Sequence, residues 1–175
     1  STMVISCCDS RVNPTSIFQA KEGDLFIYRN IGNIIPSITS NNQDFGIMAA
    51  IEYAIKKLKV RNIIVLGHSD CGAIKYSNGL FSKRKQNKNL SSIDVWVKHI
   101  YPAFMLTTKN KSKKNSLKSL EKISVKNSIN NLLHYPNIED LVLNNKLKIF
   151  GLWFDIGSGE LMKLNKENNK FEKII

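Results

Sequence analysis

Asn62–Leu66 reads NIIVL, with apolar residues on consecutive positions. A strand with one wet face alternates apolar and polar side chains, so a continuous apolar run must be buried on both faces. Strands of that kind belong to parallel sheets covered by helices, and this single stretch narrows the fold more than any other. The remainder of the chain supplies what such a sheet needs. Thr2–Cys7 (TMVISC) and Leu25–Arg29 read as two earlier strands, and Leu147–Asp155 as a later one. Gln43–Leu58 carries Phe45, Ile47, Met48, Ile51, Ala54, Ile55 and Leu58, which is helical spacing.

Asn13-Pro14 gives an N-cap followed by proline in the first helical turn, predicting a short helix through Ala20. Further helices are expected over Ile93–Met105, Leu117–Leu133 and Pro136–Asn145. Gly157-Ser158-Gly159 turns the chain back into Glu160–Leu164, an expected antiparallel edge strand. The loops around 78–91 and 107–116 are expected to be the mobile segments. The predicted fold is therefore α/β: one domain over residues 1–175, with a mainly parallel central sheet, an antiparallel edge strand and flanking helices.

The net charge of +12 raises a nucleic-acid reading. Much of it lies in Lys83, Arg84, Lys85 and Lys88, and in Lys109, Lys111, Lys113, Lys114 and Lys118, within Asn- and Ser-rich stretches poor in aromatics. No stacking platform or recognised motif accompanies them, so solvated loops and helix faces are the better reading and no nucleic-acid partner is expected. No G-x-G-x-x-G or P-loop follows the early strands, which argues against a nucleotide binder. No apolar run reaches the ~20 residues of a membrane span, and residues 1–8 lack a signal-peptide pattern, so no membrane partner and a cytoplasmic location are expected. The three cysteines, Cys7, Cys8 and Cys71, are too few and odd in number for a disulfide framework. Thiols in a reducing compartment point to metal or catalysis.

Two clusters carry chemistry. Cys7-Cys8-Asp9-Ser10-Arg11 follows the first strand. If the extended geometry continues, Cys7, Asp9 and Arg11 share one side, and Cys8 packs on the other. Gly67-His68-Ser69-Asp70-Cys71-Gly72 follows the buried strand, and a helix starting there would put His68 and Cys71 on one face. Asp70 is a possible cap for that helix. Two thiolates and one imidazole suit Zn²⁺. A structural site normally takes a fourth protein ligand, and no further cysteine exists. The fourth position is therefore open to water, as in a catalytic site, or taken by Asp9.

C-x-D-S-R followed by H-x-x-C-G resembles the signature pair of the β-class carbonic anhydrases. Gly23-Asp24-Leu25-Phe26, Arg29-Asn30-Ile31-Gly32-Asn33, Ala50-Ile51-Glu52-Tyr53-Ala54, Gly67–Lys75 and Gly151–Ile156 are similar to that family as well. The resemblance implies reversible hydration of CO₂ to bicarbonate by zinc-bound hydroxide, with one zinc per subunit on Cys7, His68 and Cys71. Asp9 would orient the hydroxide, and Arg11 would keep Asp9 ionised and off the metal. The Gly72 amide would face a substrate oxygen, and Phe26, Ile31 and Tyr53 would form an apolar CO₂ pocket across a dimer interface. The partners implied are CO₂, bicarbonate and further copies of the chain, as a dimer or dimer of dimers.

The family carries a helical arm ahead of its first cysteine. Only six residues precede Cys7, so the arm and its substrate-contacting glutamine are expected to be missing. A bicarbonate-inhibited subset uses a tryptophan, an arginine and a tyrosine where this chain has Val4, Arg29 and Phe154, so the open, water-ligated form is expected. Hydrolysis of CS₂ or COS is the alternative within the scaffold. A basic nucleic-acid-binding domain with a structural zinc is the alternative of another class.

Overall fold

The computed structural model describes residues 1–40, 44–83, 90–109 and 117–174. Among the described residues six strands form one sheet: β1 (Thr2–Cys7), β2 (Leu25–Asn30), β3 (Asn62–His68), β4 (Lys148–Phe154), β5 (Leu161–Asn165) and β6 (Lys170–Lys173), in the order β2-β1-β3-β4-β5-β6. β2, β1, β3 and β4 run parallel, and β5 and β6 are antiparallel to their neighbours. The expected return strand is β5, but β6 lies outside it and forms the edge. β6 reads KFEK, with too little apolar content to announce itself.

The helices follow their sequence signals closely. α1 (Pro14–Ile17) is capped by Asn13, whose side chain accepts from the Thr15 amide. α2 (Phe45–Lys56) is capped by Asp44 and buries Ile47, Ile51 and Ala54, while the expected first residue, Gln43, lies outside the described residues. α3 (Gly72–Ser82) continues through the first part of the expected 78–91 loop. The expected helix over Ile93–Met105 is divided into α4 (Ser92–Val97), a 3₁₀ turn (Lys98–Ile100) and α5 (Tyr101–Lys109). Pro102 explains the division: it has no N–H to bond the carbonyl four residues back, and its ring crowds that carbonyl. α5 also occupies the start of the expected 107–116 loop; positions 84–89 and 110–116 lie outside the described residues. α6 (Leu117–Leu133) and α7 (Ile138–Leu143) complete the set.

β1 and β3 are buried along nearly their whole length, as the apolar runs require. One sheet face, with Met3, Ile5, Ile63, Val65 and Ile149, packs against α2, α6 and α7. The other carries Val4, Leu66, Leu152 and Leu161. α6 lies directly on β3 and β4 because two glycines face it: a Cβ on Gly67 would stand 2.5 Å from Val125 Cγ2, and one on Gly151 2.7 Å from Ile129 Cδ1. From β1 the chain crosses to β2 on one side, and from β3 to β4 on the other. The carboxyl ends of β1 and β3 therefore flank a switch point, where open α/β sheets bind their ligands. Among the described residues no helix is long and apolar enough to cross a membrane.

Candidate active site

Cys7 is the last residue of β1 and His68 the last of β3. Cys71 is the N-cap of α3. Their ligand atoms all lie within 4.8 Å of one another, and all three residues are buried. The route from His68 to Cys71 differs from expectation. The two are joined by a turn rather than by one helix face, with Asp70 in the left-handed region at φ 53°. Asp70 thus bends the chain, and Cys71 stands at the cap position with no side-chain cap bond.

The donor set fits a soft divalent cation. The His68 imidazole places Nδ1 2.8 Å from the Ser69 carbonyl, so Nδ1 carries the proton. That leaves Nε2 as a lone-pair donor, buried and without a hydrogen-bond partner among the described residues. The two thiols act on each other. The Cys71 thiol donates to Cys7, which pulls the Cys7 pKa down, and burial pushes the Cys71 pKa further up. Burial works against a charged His68, but the Cys7 thiolate outweighs it and raises the His68 pKa. Two sulfurs and a ring nitrogen facing one another in a dry space are a ligand set for a cation.

β1 stops at Cys7, so the strand alternation does not carry into the following residues. Cys8 is therefore exposed rather than packed on the opposite face. Its amide still donates to the Asn30 carbonyl, and the Val12 amide bonds the Asp9 carbonyl to close a turn. That turn brings Asp9 and Arg11 together. Arg11 Nε donates to Asp9 Oδ1 at 2.9 Å and Arg11 Nη2 to Oδ2 at 2.7 Å, a bidentate pair. The pair holds the Asp9 carboxyl far below the usual carboxylate range. Arg11 Nη2 also reaches the Asp70 carbonyl at 3.2 Å, tying the first cluster to the second. Arg29 grips the turn from β2, donating to the carbonyls of Cys7, Asp9 and Val12 at 2.7–2.8 Å. Of the two residues named with it, Val4 is fully buried and Phe154 partly so.

The four expected pocket residues separate into two groups. Gly72 opens α3 beside the ligands, and a Cβ there would meet nothing within 4 Å. Ile31 follows β2 at the same end and is 48% exposed. Phe26 pairs in register with Met3, four residues below Cys7, or about 13 Å along the strand. Its ring stands 6.0 Å from that of Tyr53, which is 52% exposed.

Sequence reasoning missed several residues here. Glu121 of α6 is 3% exposed, accepts from the Cys71 amide at 3.3 Å, and accepts from Trp153 Nε1 at 3.3 Å. The signal was available: Glu121 falls on the buried face of α6 with Leu120, Ser124, Val125, Ser128 and Leu132. Ser69 Oγ donates to Asp155 Oδ1 and accepts from the Ile156 amide, and Asp155 pairs with Lys118 at 2.6 Å. This braces the strand end behind His68. Trp96, whose indole donates to the Ile31 carbonyl, and Gly32, whose amide donates to the Cys7 sulfur, were also missed.

The carbonic anhydrase family model matches residues 2–161. A carbonic anhydrase of Helicobacter pylori (strain J99) is 35% identical over 177 aligned positions, covering 99% of this chain and 80% of that protein. The solved β-carbonic anhydrase CcaA superimposes with a TM-score of 0.87 at 33% identity, covering 99% of this chain and 77% of that one. A tetrameric β-carbonic anhydrase of Sordaria macrospora gives a TM-score of 0.76 at 28% identity, covering 94% and 80%. With its mainly parallel sheet, its Cys–His–Cys group at two strand ends and its Asp–Arg pair, this chain belongs to the β-class carbonic anhydrases, the enzymes that hydrate CO₂.

Proposed function

We propose that residues 1–175 act as one catalytic domain in which Cys7, His68 and Cys71 hold a single zinc ion for the reversible hydration of CO₂. The observation that carries this reading is the orientation of His68: Nδ1 is committed to the Ser69 carbonyl, Nε2 is buried and without a hydrogen-bond partner among the described residues, and the ring offers a ligand atom within 4.8 Å of both sulfurs. Zinc so held would supply a Lewis acid that makes water nucleophilic near neutral pH.

The protein's own part is orientation. Asp9, kept ionised by Arg11, would accept a hydrogen bond from the attacking oxygen and so aim its lone pair at the carbon. Because both Asp9 oxygens are bonded to Arg11, Asp9 stays off the metal. Arg29 supports this open arrangement by spending its guanidinium on three backbone carbonyls. Ile31 and the Gly72 amide border the place where CO₂ would sit. Phe26 lies lower along β2, with the exposed Tyr53 of α2 against it, which favours their lining the pocket of a second copy. A homo-oligomer in the cytoplasm, a dimer or dimer of dimers, is therefore part of the proposal.

Stopped-flow CO₂ hydration tests it. Activity is expected in the purified chain, with about one zinc per subunit, and is expected to vanish in Cys7→Ala or after chelation. Full activity without zinc would refute the reading. Measuring CS₂ and COS beside CO₂ separates the alternatives, since either sulfur substrate turning over much faster than CO₂ would reassign the enzyme.

A further inference from the structure

The Cys7 sulfur has a partner outside the ligand group. The Gly32 amide donates to Cys7 Sγ at 3.4 Å, and the contact is buried. The carbonyl of the same peptide unit, that of Ile31, accepts from Trp96 Nε1 at 2.7 Å. A trans peptide is planar, with its C=O and N–H pointing in opposite directions. One rigid unit is thus held at one end by an indole of α4 and at the other by the sulfur.

Its surroundings are built for this. Gly32 sits at φ +82°, and a Cβ there would stand 3.0 Å from Ala73 Cβ, so only glycine turns the amide inward. Asn30 clips the loop on both sides: its Nδ2 donates to the Ile34 carbonyl at 2.8 Å, and its Oδ1 accepts from the Ile34 amide at 2.9 Å. The Trp96 ring packs on the cluster that contains Cys7, Cys71 and Ile34, and meets His99 edge-on at 5.5 Å. The indole is therefore fixed where the carbonyl needs it.

We propose that Trp96 is a positioning residue that tunes the Cys7 thiolate through the Ile31–Gly32 peptide. A hydrogen bond to a carbonyl polarises the peptide and strengthens the bond its N–H makes. A stronger N–H···S bond draws electron density from the thiolate. The sulfur then donates less to the metal, which stays a better Lewis acid. Partners beyond the ligands set metal affinity and electronics in this way. The same bond also fixes Ile31, which borders the proposed CO₂ position. The last step rests on the zinc reading above, whereas the relay from Trp96 to Cys7 does not.

The test compares Trp96→Phe with 3-benzothienylalanine at position 96, which keeps the bicyclic shape and replaces N–H by sulfur. In the metal-free protein, the Gly32 amide proton is expected to move upfield in the NMR spectrum of both variants. With cobalt(II) in the site, the sulfur-to-cobalt charge-transfer band is expected to move to longer wavelength in both. A merely structural Trp96 would leave amide and band unmoved in the isostere, and that result overturns the proposal even if Trp96→Phe shifts both. If Trp96→Phe does not fold, the isostere alone decides. Active enzyme with unmoved signals defeats the relay and leaves the function standing; moved signals in a protein that does not hydrate CO₂ do the reverse.

Discussion

Glu121 offers the sharpest test of how the site is held. Its carboxylate is buried and serves two donors, the Cys71 amide and the Trp153 indole, each at 3.3 Å. A donor stranded in a dry environment costs about 1–3 kcal/mol. Strong charge-assisted bonds run about 2.7–2.9 Å, so these longer ones belong in the lower half of that range. Glu121→Gln presents one acceptor oxygen and turns its NH₂ toward the other donor, which strands one group and should cost about 1–2 kcal/mol. Glu121→Ala strands both and should cost about 2–4 kcal/mol before any cavity is counted. Equilibrium urea unfolding at fixed protein concentration measures this, since oligomerisation makes the midpoint concentration-dependent. Competition against a chromophoric chelator should show zinc affinity falling in the same order, by about 10–100-fold for the alanine. If Glu121→Gln matches the parent in both stability and zinc affinity, the carboxylate is not serving two donors and the reasoning fails.

Gly67→Ala places a methyl 2.5 Å from Val125 Cγ2 and should destabilise by about 1–3 kcal/mol. In urea unfolding, Gly67→Ala with Val125→Ala should lose less than the sum of the two single changes, and strict additivity would show that α6 is not held by that contact. Asp155 is held below the usual carboxylate range, chiefly by the Lys118 ammonium. Its folded pKa is depressed, so the stability it contributes is present above about pH 4, its unfolded value, and is lost as pH falls through the lower folded one. Asp155→Asn should therefore be less stable than the parent near neutrality, with the gap closing between about pH 5 and pH 2 in thermal melts. A gap that persists undiminished would locate the effect in shape rather than charge.

What the sequence disclosed follows from how each feature is written in it. NIIVL read as a strand buried on both faces and TMVISC as a strand beside it, and that placed the sheet and, with it, the ends where ligands gather. The candidate ligand group was legible because thiol and imidazole are scarce here and sit at or directly after those strands. The turn joining His68 to Cys71 was not legible, because an aspartate at positive φ leaves little trace in composition. Pro102 stood in plain view, yet the apolar spacing around it reads through the break. The Trp96 and Gly32 contacts were invisible for another reason: both are made to or by backbone groups, and Trp96 meets a carbonyl 65 residues away. A glycine or a tryptophan in a sequence says nothing of which peptide it will touch.

The supports of the three ligands share that character. The Cys7 carbonyl is gripped by Arg29, its sulfur by the Gly32 amide, the Cys71 amide by Glu121, and the His68 ring by the Ser69 carbonyl. Each contact involves a backbone group, and each support comes from a different element or turn. In the proposed zinc site these side chains would thereby be aimed before the metal arrives, so the ordering cost would fall on folding rather than on binding. It also makes the site depend on the placement of α6. Glu121 reaches Cys71 only because Gly67 and Gly151 let that helix sit close against β3 and β4. A methyl added on the sheet at Gly67 should therefore weaken zinc binding as well as the fold, although Gly67 touches no ligand atom.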